Sequence, residues 1–149
     1  MNDIYESGEN ISNISLLIKY MNNLTNQYYV QKVGGYAPLI YMFGKCYYFA
    51  RGVKSVIPYA EIYITKDPLH VFLKIGNYFW DAEGMLLEGI NYQTNDIFPV
   101  DLNDQEMMYF IDNSVANPYD DKYLLPLLYE IAQMADATVR EDQKVKRKC

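Results

Sequence analysis

The sequence predicts an α+β domain in which a cysteine-bearing central helix packs on an antiparallel sheet, with further helices towards the C-terminus. Three observations lead there. Apolar residues recur at three- and four-residue spacings near the N-terminus. A glycine-led turn separates two alternating segments in "LHVFLKIGNYFWDAE". A long apolar-periodic stretch follows residue 120. The first and third are helical periods and the second is that of a β-hairpin.

In order along the chain, Ile11, Ile14, Leu17, Ile18, Met21 and Leu24 make one face of a helix over about 11–24, with Asn10 or Ser12 as cap. "NQYYVQKV" reads as a short strand or an irregular approach, and "GGYAPLIYMFG" as a buried connection into the next helix. There Cys46, Phe49, Ala50 and Val53 fall at i, i+3, i+4 and i+7, so they share a face. "SVIPYAEIYI" reads as a broken strand with Pro58 at its start or at a bulge, and "TKDP" as a turn.

The hairpin is the strongest β signal. A two-residue turn at Gly76-Asn77 pairs Ile75 with Tyr78, Lys74 with Phe79 and Phe72 with Asp81. Alternation then places His70, Phe72, Lys74, Phe79 and Asp81 on one face, and Val71, Leu73, Ile75, Tyr78 and Trp80 on the other. Asp81 is diagonal to His70, with about 7–8 Å between backbones for the side chains to close. A further strand is expected around "MLLEGINY" and a helix over about 103–115. A last helix is expected over 121–139, bent or started at Pro126. No repeat, linker or second-domain boundary interrupts the chain, so residues 1–139 read as a single domain.

The 149 residues are half apolar and include sixteen tyrosines, enough for a packed core. Charge is uneven. Residues 140–149, "REDQKVKRKC", carry five basic and two acidic groups, a local +3, so the whole-chain −6 leaves −9 on the remainder. An acidic body repels a phosphate backbone, which disfavours nucleic acid as a partner, and the basic end reads as a flexible, solvated tail. The N-terminal stretch lacks a signal-type apolar core, and no run reaches membrane-spanning length. Two cysteines 103 positions apart form no disulfide framework and no zinc-ligand spacing. These features suit a cytoplasmic protein with Cys46 as a free thiol and without metal or cofactor. Oligomeric state is not encoded in any of them.

A nucleophilic cysteine needs a favoured thiolate, a base within reach and a group that orients the base. Cys46 at a helix start has the backbone dipoles, His70 is the chain's one histidine, and Asp81 shares its sheet face. Glu83 is the second choice for the orienting acid. The competing reading has Cys46 as core filler and His70 as a satisfied strand histidine. Asp101, Asp104 and Glu106 read as loop and helix-start acids, and neither "GG" at 34–35 nor "GK" at 44–45 makes a phosphate loop.

"GKCYYFA" followed by "HVFLKIGNYFWDAEG" resembles the papain-like cysteine hydrolases and acyltransferases of the transglutaminase-like and NlpC/P60-like sort. The likeness covers residues 44–84. It implies Cys46 as nucleophile, His70 as base, Asp81 as the third member and a protein or peptide as substrate. It further implies an amide- or isopeptide-cleaving reaction through a thioester, in a small phage or bacterial setting. Relatives supply the oxyanion site with the cysteine N–H and a second donor, for which Gln31, Gln27, Asn26, Tyr36 and Tyr41 are alternatives here. The contrasting expectation is a non-catalytic protein-binding module, such as a phage-encoded inhibitor of a host factor.

Overall fold

The computed structural model describes residues 4–5, 11–30, 46–66, 69–86, 97–101, 103–105 and 124–148. It is α+β: among the described residues, helices α1 (Ile11–Thr25), α2 (Cys46–Val56) and α3 (Leu124–Lys148) accompany five strands. These are β1 (Glu61–Lys66), β2 (Leu69–Ile75), β3 (Tyr78–Asp81), β4 (Gly84–Leu86) and β5 (Ile97–Pro99). They form one sheet in the order β4-β3-β2-β1-β5, with every neighbouring pair antiparallel.

The three helices and one sheet face share a core. α1 contributes Ile14, Leu17, Ile18 and Met21, α2 contributes Phe49, Ala50 and Val53, and α3 contributes Leu128, Ile131, Ala132, Ala135 and Val139. Ile62, Ile64, Val71, Leu73, Ile75 and Trp80 complete it from alternate strand positions. The helices meet at Gly52, where an added Cβ would lie 3.2 Å from the Met21 Cε and 3.4 Å from the Leu128 carbonyl oxygen. A side chain larger than alanine there would push α2 away from its neighbours.

The hairpin has the expected register: Ile75 pairs with Tyr78, Lys74 with Phe79 and Leu73 with Trp80. Gly76 takes φ +64°, the left-handed conformation that the tight turn requires.

Four expectations change. "NQYYV" continues α1 as a π-helical turn, Asn26–Val30, and is not a strand. In "SVIPYA" the helix runs to Val56, and the strand begins only at Glu61. There the Ile57 N–H donates to the Val53 carbonyl, and Lys54 Nζ donates to the carbonyls of Pro58 and Ala60, closing the helix end. The strand around "MLLEGINY" is confined, among described residues, to Gly84–Leu86. Residues 140–148, read as a flexible tail, instead extend α3 without a break.

Tertiary bonds explain that extension. Tyr20 donates to Asp142, and Gln143 Nε2 donates to Asn13 Oδ1 at 2.7 Å, so the charged end of α3 lies along α1. Arg140 to Asp136 and Lys144 to Glu141 add pairs one turn apart. Pro126 falls in the first turn of α3, where its missing N–H has no intrahelical partner to lose. The connection at 31–45 and almost all of the helix expected over 103–115 lie outside the described residues. No helix among the described residues is long and apolar enough to cross a membrane.

Candidate functional site

Three elements converge on one buried polar cluster. Cys46 is the first residue of α2 and is 8% exposed, His70 is the second residue of β2 at 8%, and Asp81 ends β3 at 3%. The structure brings all three together. His70 Nε2 donates to Asp81 Oδ2 at 3.2 Å, and the imidazole is also in hydrogen-bond contact with the Cys46 side chain. A carboxylate only accepts, so the proton sits on Nε2, leaving Nδ1 as the nitrogen available to the sulfur.

The placement follows from local sequence. The Gly76-Asn77 turn sets the register that makes His70 and Asp81 diagonal neighbours. Asp81 is then held from its other side: its Oδ1 accepts the Glu83 N–H at 2.8 Å, closing the two-residue turn to β4. Gly84 ends that turn at φ +115°, a conformation that a side chain would oppose. Asn22 of α1 donates to the Ala82 carbonyl at 2.9 Å and pins the turn to the helical layer. Glu83, the alternative acid, is exposed, and its role is to present its N–H to Asp81.

Burial is the largest influence on His70 and pushes its pKa down. The interactions with Asp81 and Cys46 outweigh it and raise the pKa to about 9. At neutral pH the ring is therefore an imidazolium. Cys46 opens its helix, so its N–H is among the four that α2 leaves without intrahelical partners. Of the second-donor alternatives, Gln27 is exposed and Asn26 half-buried, while Gln31, Tyr36 and Tyr41 lie outside the described residues. Among the described residues no group of three or more His, Cys, Asp or Glu side chains is placed to hold a metal ion.

Sequence reasoning missed the ring beneath His70. Phe72 lies against the imidazole at 6.0 Å between centroids and 20° between planes. Strand alternation had put the two on one face, so the signal was present in the spacing.

Fold and cluster together define a small α+β protein with a buried Cys–His–Asp constellation at a helix start and an adjoining hairpin. The chain belongs to the phage YunG-like protein family, whose model matches residues 17–120 and so spans all three cluster residues. No curated protein and no solved structure matches the chain at a significant level.

Proposed function

We propose that the protein is a cysteine-dependent acyl-transfer enzyme on a papain-like scaffold of the NlpC/P60-like or transglutaminase-like sort. Its most natural reaction is hydrolysis of an amide or isopeptide bond in a protein or peptide, in the host cytoplasm if phage-encoded. The observation that carries this reading is the His70 ring, bonded to Asp81 on one side and in contact with Cys46 on the other. In the reaction the Cys46 thiolate forms a C–S bond to the carbonyl carbon, and the carbonyl electron pair moves onto oxygen. The Cys46 N–H stabilises that oxyanion. As the C–N bond breaks, the His70 imidazolium gives its proton to the departing nitrogen, leaving a thioester. Water then attacks with His70 as base, releasing the acid and restoring the thiolate. Asp81 keeps the imidazole in one tautomer and orientation throughout.

A second reading, a non-catalytic protein-binding module, is favoured by the near-closure of the cluster: Cys46 and His70 are each 8% exposed. One experiment separates them. With Cys149 replaced by serine throughout, iodoacetamide labelling of Cys46 is followed across pH in wild type, C46A and H70A. The enzyme reading expects labelling near neutral pH that vanishes in C46A and slows about tenfold or more in H70A. An ordinary thiol profile unchanged by H70A overturns it.

A further inference from the structure

We infer that Phe72 is a positioning residue for His70: its ring fixes the plane in which one imidazole nitrogen meets Asp81 and the other meets Cys46. This rests on the acyl-transfer reading for its use, but the geometry stands by itself. The contacts to Asp81 and Cys46 act at the ring nitrogens, in the plane of the imidazole. A flat ring stacked on one face acts across that plane and resists its tilting.

The rings do face each other. Residues two apart on a strand stand about 6.6–6.8 Å apart on the same face. The His70 and Phe72 centroids close to 6.0 Å with planes tilted only 20°. Phe72 cannot drift, because it is 1% exposed and held by rings on both neighbouring strands. Tyr63 on β1 stacks on it at 6.2 Å and 25°, and Phe79 on β3 meets it edge-on at 5.4 Å and 69°. Tyr63 and Phe79 also meet each other at 5.8 Å and 87°. A three-ring brace thus crosses β1, β2 and β3 and ends on the imidazole.

The electrostatics agree. The negative face of an aromatic ring favours the cationic form of a stacked imidazole. Among the described residues, the other charged or titratable groups on the elements around it include Cys46 on α2, Asp81 on β3, Lys74 further along its own face of β2, and the Glu61–Tyr63 pair on β1.

His70 is the chain's one histidine, so its ring signals in an NMR spectrum belong to this site alone. In wild type, a nuclear Overhauser contact is expected between the Phe72 ring protons and the His70 Cε1 proton. In F72L, the midpoint of the His70 titration is expected to fall by about half a pKa unit. Absence of the wild-type contact overturns the inference even if F72L does not fold. A folded F72L that titrates as wild type does overturns it too. These readings do not use Cys46 reactivity. If H70A leaves labelling unchanged while F72L still moves the histidine titration, the enzyme reading fails and the brace stands.

Discussion

The raised His70 pKa is a statement about stability, and replacing His70 with glutamine isolates it. The folded ring titrates at about 9 against an ordinary value of 6.5. Folding therefore binds a proton more tightly, and the stabilisation is complete below about pH 6.5. It is lost as pH rises through 6.5 to about 9, where the folded ring too gives up its proton. The two-and-a-half-unit gap, at about 1.4 kcal/mol per unit, is worth about 3 kcal/mol. Urea unfolding of wild type and H70Q at pH 6 and pH 9.5 measures it. Wild type should lose about 3 kcal/mol more than H70Q between the two conditions. Groups that titrate in both proteins and do not touch His70, such as Tyr20 with its pKa raised by the bond to Asp142, cancel in the difference. Equal losses in the two proteins would refute the claim that a charged His70 is held in the folded cluster.

Two further perturbations probe the supports of the site. G84A should destabilise by about 1–3 kcal/mol, because φ is +115° and no neighbour lies within 4 Å of the added Cβ, so the cost is backbone strain alone. G76A, at φ +64°, falls in the left-handed well and should cost less. Thermal melts of the two rank them, and a G84A protein as stable as wild type would contradict the backbone geometry. Truncation after Val139 removes Asp142 and Gln143, and with them the bonds to Tyr20 and Asn13. The expected loss is about 2 kcal/mol, from about 1 kcal/mol for each bond. An unchanged unfolding midpoint would mean that the end of α3 does not pack on α1.

What was legible in the sequence was what local rules determine. Gly76-Asn77 between alternating segments set the hairpin register, and that register alone placed His70 diagonal to Asp81. The spacing of Cys46, Phe49, Ala50 and Val53 identified the buried face of α2. The misreadings share a different cause. Val56 and Ile57 look like strand residues by propensity, yet Lys54 reaches over to the carbonyls of Pro58 and Ala60 and keeps them at a helix end. Residues 140–148 have no strong apolar period; their helix is held by side-chain bonds to α1 from residues more than a hundred positions away. The pairing of β5 with β1 also joins segments distant in sequence, from Thr65 to Ile97 and from Tyr63 to Pro99. Periodicity carries no information about such partners.

The buried position of the cluster bears on why it exists. Burying a carboxylate and an imidazolium costs several kcal/mol per ion before their attraction offsets it, and apolar residues of similar volume often serve a core equally well. On their sheet face the neighbouring Phe72, 1% exposed and against the imidazole, shows that an apolar residue could have continued a core there. Yet the chain places its one histidine there, satisfies both oxygens of Asp81, and fastens the turn beyond it to α1 through Asn22. A structural ion pair requires only the first contact. The additional restraints, together with a thiol at a helix start on the other side of the ring, are those needed to hold an imidazole between an acid and a nucleophile. The acyl-transfer reading proposed above would account for that combination.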